Sequence, residues 1–202
     1  IKGFYKYLFR NNAIKNNIAE HLKYPRSIKN LPVPISPSNA EKLLNSISLD
    51  SFINIRDAAI ISMFLSTGLR LSGLRNLNDS NLFRMDVDGE SRHFVRVFEK
   101  GKKERIIPIP DVMSLFIFLY MNTDEFRSAN RTNENGEIVL FINTRKQLAP
   151  AHEFYGEARR LSGRQIQKII HKRGEVVGID SKELHPHAMR HLYGTELAES
   201  GV

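Results

Sequence analysis

Three prolines fall within Leu31-Pro32-Val33-Pro34-Ile35-Ser36-Pro37. Proline lacks a backbone N–H and biases the residue before it away from helix, so no helix or inner strand can run through this segment. The chain therefore has to fold as separate pieces on either side of it. Before it, Phe4, Tyr7, Leu8, Ile14, Ile18 and Leu22 are spaced for one or two short helices over residues 1–23, and Tyr24-Pro25 ends that pattern. The first residues lack a methionine and read as a basic amphipathic helix entered midway, as expected of a fragment, and resemble neither a signal peptide nor a flexible tail. After it, Ser38-Asn39-Ala40-Glu41 has the form of a capping box ahead of Leu43 and Leu44. The expected organisation is a helical segment over 1–30, a proline-rich linker over 31–37 and a larger domain over 38–202.

The larger domain reads as mainly α with a small antiparallel β-sheet, an α+β fold. Ile53–Leu65 has the wide apolar face of a buried helix, Thr67-Gly68 stops it, and Ser72–Leu77 starts a short one. Phe94–Phe98 and Arg105–Ile109 alternate as two strands of a hairpin whose tip, Glu99-Lys100-Gly101-Lys102-Lys103, is basic. Asp111–Tyr120 reads as a helix, Asn122–Gly136 as a long surface loop and Ile138–Ile142 as a third short strand. Ser162–Val177 and His187–Ser200 complete the helices.

Thirty Lys and Arg against twenty-two Asp and Glu leave a formal charge of +8, which favours a polyanionic partner or an anionic membrane surface. No apolar run approaches the roughly 20 residues that span a bilayer, so no membrane role is expected. The chain has no cysteine, which excludes disulfides, Fe–S clusters and Cys-based zinc sites and fits an intracellular setting. Neither Gly-x-x-x-x-Gly-Lys nor Gly-x-Gly-x-x-Gly occurs, which disfavours nucleotide-dependent chemistry.

Three short constellations carry candidate chemistry. In Thr67-Gly68-Leu69-Arg70-Leu71-Ser72 an arginine follows a helix-stop glycine at the next helix start. A cation there makes sense if an anion binds between it and the backbone N–H groups; the plainer reading is a solvated surface arginine. The hairpin tip suits a nucleic-acid groove, a lysine acting as proton donor, or simply a soluble turn. His187 and Arg190 lie on one face of the last helix and pair a proton-transfer group with a planar cation, a combination suited to phosphate. His185, His187 and His191 also raise the question of zinc, but there is no His-Glu-x-x-His pattern and Arg190 adds positive charge, so a metal is disfavoured. Leu192, Tyr193 and Leu197 read as packing residues.

In this order, Thr-Gly-Leu-Arg-Leu-Ser at 67–72, Glu-Lys-Gly-Lys-Lys-Glu-Arg at 99–105 and His-Ala-Met-Arg-His at 187–191 resemble the tyrosine recombinases, or phage-type integrases. The resemblance runs from about residue 36 to the end, and the preceding segment looks like the last helix of that family's core-binding domain. It implies a tyrosine recombinase catalytic-domain fold and site-specific cutting and rejoining of DNA through a 3′-phosphotyrosine, without a cofactor. It also implies double-stranded DNA as partner, held between the two domains, a synaptic tetramer on paired sites and a prokaryotic cytoplasmic, nucleoid-associated setting. Carried over, Arg70 and Arg190 match the catalytic arginines, Lys100 the hairpin general acid and His187 the histidine assisting proton transfer. Lys102, Lys103 and Arg105 would contact DNA. The family's glutamate after Arg-x-x is Gly73 here, and its nucleophilic tyrosine lies past the final helix, so this stretch is expected to bind DNA without cleaving it alone. A non-catalytic DNA-binding regulator on the same fold and a zinc hydrolase built on the three histidines are the other readings.

Overall fold

The computed structural model describes residues 1–23, 35–98, 103–144, 150, 152–180 and 183–199, with the side chains of 196–199 left aside. The chain divides into two compact units, Ile1–Leu31 and Pro32–Val202. In the first, α1 (Lys2–Arg10) leaves Phe4 and Tyr7 exposed. Residues 11–23 form turns rather than the helix expected there, because Asn12 takes a left-handed conformation with φ 56° and stops the helix. Lys2 Nζ donates to the Leu22 carbonyl at 3.0 Å and ties the ends of this segment together.

The second unit is built around α3 (Phe52–Thr67), in which Ala58 through Thr67 are all buried. Around α3 pack α2 (Pro37–Asn45), α4 (Leu71–Arg75), α5 (Asp111–Met121), α7 (Gly163–Val176), α8 (Pro186–Glu199) and the sheet. The cap of α2 is Ser36, not Ser38: Ser36 Oγ accepts from the Asn39 N–H at 3.1 Å and Pro37 opens the helix. Proline is suited to that first position, where its missing N–H has no partner to lose and its φ is already helical. The box expected at Ser38 and Glu41 is therefore displaced by one of the linker's own prolines.

The sheet has three antiparallel strands in the order β1 (Leu82–Val87), β2 (Glu90–Phe98), β3 (Glu104–Ile109). Val95, Val97, Ile107 and Ile109 face the core, and Phe83 stacks on Phe94 across the other face, with ring centroids 5.9 Å apart. Pro108 is accommodated because β3 is an edge strand. The third strand is β1, not Ile138–Ile142. That segment makes only isolated bridges, from Val139 to Asn78, Ile138 to Thr132 and Ile142 to Arg160. Its buried backbone is satisfied by partners from several segments: the Leu140 N–H donates to the Leu77 carbonyl, the Leu161 N–H to the Phe141 carbonyl, and the Tyr120 hydroxyl donates to the Leu140 carbonyl while accepting from the Ile142 N–H. Tyr120 is completely buried, stacked on Phe141 and edge-on to Phe126, and burial holds its hydroxyl in the protonated form. The expected loop at Asn122–Gly136 contains a short helix, α6 (Asp124–Ser128), which exists to place Phe126 under that ring.

Charge is also buried in the core. Asp57 on α3 receives Arg56 on one carboxylate oxygen at 2.9 Å and Arg173 of α7 on the other at 2.7 and 2.9 Å. Arg173 reaches on to Asn54 Oδ1 at 2.6 Å and Arg56 to the Ile142 carbonyl at 3.3 Å. One carboxylate between two guanidinium groups thus fastens α7 to α3.

Candidate active site

Gly68 ends α3 with φ 56°, a left-handed cap that an L side chain rarely adopts. A Cβ there would also lie 2.5 Å from Cδ1 of Tyr193, so the turn requires glycine twice over. Leu69 is buried and anchors the turn, which leaves Arg70 exposed at the cap of α4. The other end of α4 is held by Arg160, whose guanidinium donates to the Arg75 and Leu77 carbonyls at 2.9 Å and to Asn78 Oδ1 at 2.7 Å. Gly163 at the start of α7 lies close beneath Leu71. Arg70 therefore stands on a short helix clamped at both ends.

At α8 the imidazole of His185 caps the helix: its Nδ1 accepts from the Ala188 N–H at 3.1 Å. Partial burial, and then the neighbouring His187, His171 and His191, push the His185 pKa below the ordinary histidine value, in keeping with this acceptor role. Ala188, Met189 and Leu192 face the core, which turns His187, Arg190 and His191 outward or to the rim. Arg190 Nη1 donates to the Gly68 carbonyl at 2.5 Å. That bond ties α8 to the turn that carries Arg70.

The result is a cleft of about 360 Å³ lined by Arg70, Gln167, His185, His187 and Arg190 over an apolar floor of Leu69, Leu71 and Pro186. Two guanidinium groups and two imidazoles converge, and among the described residues no carboxylate lines the space. An anion fits this arrangement, and the fork geometry of two arginines suits a tetrahedral phosphate oxyanion better than a point charge would. Arg70, His187 and Arg190, named from the sequence, are thus brought together by the fold. Lys103 and Arg105 are exposed where β3 begins, with Arg105 opposite Val97 in the register. Lys100 and Lys102 lie outside the described residues. Tyr193 is half-buried against Gly68, a packing position. At Gly73 an added Cβ would meet only Leu69, at 3.8 Å, so packing does not demand glycine there. Among the described residues no group of three or more His, Asp or Glu is arranged to hold a metal ion. No helix among them is long and apolar enough to cross a membrane.

Sequence reasoning missed Gln167, the capping role of His185, and the Arg160 and Arg173 clamps behind α4 and α7. Only His185 had a local signal, since it sits immediately before Pro186 at a helix start, where a cap is needed.

Residues 35–202 match the Phage integrase family. The chain belongs to the phage integrase family. It is 30% identical to tyrosine recombinase XerC of Syntrophus aciditrophicus over 203 residues, which is 100% of this chain and 59% of that protein. It is 30% identical to tyrosine recombinase XerD of Oceanobacillus iheyensis over 202 residues, 100% of this chain and 61% of that one. The chain thus spans about three fifths of the length of these relatives. Among solved structures, XerA recombinase superposes with a TM-score of 0.63 at 25% identity, covering 100% of this chain and 59% of that one. XerH recombinase bound to its difH substrate gives 0.67 at 18% identity, covering 98% of this chain and 52% of that one. This is the fold of the phage integrase family, mainly helical with a small antiparallel sheet, as the sequence predicts.

Proposed function

We propose that this chain carries the catalytic domain of a site-specific DNA recombinase over residues 38–202, with residues 1–30 belonging to a DNA-clamping domain and 31–37 the linker. The observation that carries the reading is the cleft in which Arg70 meets His187 and Arg190, more than a hundred residues further along the sequence, with no carboxylate among the described lining residues. Curated relatives named as tyrosine recombinases support it, as does a solved neighbour described as bound to its difH substrate.

In this reaction a tyrosine hydroxyl supplied by the full-length protein attacks the scissile phosphorus, and the 5′-oxygen leaves as the 3′-phosphotyrosine forms. Arg70 and Arg190 donate to the non-bridging oxygens as negative charge builds on them. His187 assists removal of the tyrosine proton, and Lys100 delivers a proton to the departing 5′-oxygen. The phosphotyrosine keeps the energy of the broken bond for religation, so no nucleotide is consumed. Lys102, Lys103 and Arg105 bind the duplex near the hairpin, and the protein assembles as a tetramer on paired sites in a bacterial cytoplasm, associated with the nucleoid.

The salt dependence of duplex binding tests the cleft's assignment. Each phosphate contact contributes a slope of about −0.9 to log K against log salt for B-DNA. Arg70→Ala and Arg190→Ala should each weaken binding and flatten the slope by about one. Unchanged affinity and slope in both variants would remove the phosphate from this cleft.

A further inference from the structure

His187 and His191 stand one turn apart on α8, both exposed. Their Nε2 atoms are 3.3 Å apart, while their ring centroids are 4.6 Å apart, so the two nitrogen-bearing edges lean toward each other. In the neutral pair one nitrogen donates and the other accepts. The same separation has a second meaning. Two imidazole nitrogens each about 2.0–2.1 Å from a tetrahedral zinc ion lie about 3.3 Å apart. The pair is therefore spaced to chelate one ion through both Nε2 atoms.

We propose that His187 and His191 form a two-ligand site for a divalent transition metal, zinc in particular, and that an ion held there withdraws His187 from proton transfer. The second half rests on the recombinase reading of the cleft; the first rests on the geometry of the pair alone. Both rings bind as neutral imidazoles with the ring proton on Nδ1, so binding from the neutral pair moves only a tautomeric proton and needs no co-reactant. Water completes the coordination. His185 is not a third ligand, because its Nδ1 accepts the Ala188 N–H and fixes the ring as a cap.

The site differs in kind from a resident metal centre. Two protein ligands, with Arg190 adjacent in sequence and Arg70 in the same cleft, make a weak and reversible site. Imidazole ligands prefer zinc, nickel and copper and discriminate against magnesium. The ion is thus an inhibitor and leaves the phosphate chemistry metal-free. His21 and His152, the latter with Nε2 3.5 Å from Glu153 Oε1, are the other exposed histidines among the described residues.

Calorimetric titration of the 202-residue chain with zinc chloride decides the matter, with magnesium chloride as the control titrant. The expected result is one zinc ion bound, no magnesium heat, and affinity about tenfold or more weaker in His191→Gln and in His187→Gln. His152→Gln should bind as the unaltered chain does. Both His187 and His191 are exposed, and unchanged helical circular dichroism in the two variants confirms that they fold. Zinc binding that survives His191→Gln undiminished, or no zinc heat at millimolar ion, overturns the site. These heats do not depend on DNA. A failed metal site leaves the salt slopes of Arg70→Ala intact, and a failed recombinase reading leaves the zinc heats intact.

Discussion

Arg190→Ala is expected to lower strand cleavage by the full-length protein about a hundred- to a thousand-fold, the usual loss for one preorganised oxyanion donor. Nη1 is held by the Gly68 carbonyl at 2.5 Å, which fixes the orientation of the guanidinium before any ligand enters the cleft, as a preorganised donor requires. Arg190→Lys keeps the charge but loses the planar fork, and should recover little of the rate. Single-turnover cleavage separates this from weaker DNA binding. A loss that vanishes at saturating protein would make Arg190 a binding residue and no more.

Asp57→Ala is expected to destabilise the fold by about 3–5 kcal/mol, because it leaves two largely buried guanidinium groups facing each other without their shared carboxylate. For a domain of this size that lowers the melting temperature by on the order of 10 °C. Arg173→Met should cost less, since Asp57 would still be paired with Arg56. Thermal denaturation of the three proteins side by side checks the order. The consequence reaches the cleft through α7: Arg173 fastens that helix to α3, and the same helix presents Gln167 beside Arg70.

The cleft was more legible in the sequence than the frame that builds it. Arg70, His187 and Arg190 sit in short motifs whose order in the chain is informative by itself, and Gly68 marks its turn through a φ that glycine readily supplies. The helices α3, α5, α7 and α8 follow from apolar spacing. Strand β1 does not, because Leu82–Val87 and the first half of β2 are largely solvent-facing and lack clean alternation. Its signal was Asp88-Gly89, both at positive φ, a two-residue hairpin turn that announces a strand on either side. Ile138–Ile142 misled in the opposite direction, since a buried apolar run looks like a strand whether its partners lie along one neighbour or, as here, along four segments in turn. The Arg56–Asp57–Arg173 network was invisible because Arg173 lies more than a hundred residues from the adjacent Arg56 and Asp57, and each charge, taken alone, reads as a surface residue.

The most direct measurement is covalent trapping on a nicked duplex that loses a short fragment once cut and so cannot be religated. The full-length protein should form a protein–DNA adduct that survives denaturation, carries phosphotyrosine, needs no metal or nucleotide and disappears in Arg70→Ala. An adduct that persists undiminished in Arg70→Ala, or a cut that leaves no protein attached, would contradict the account.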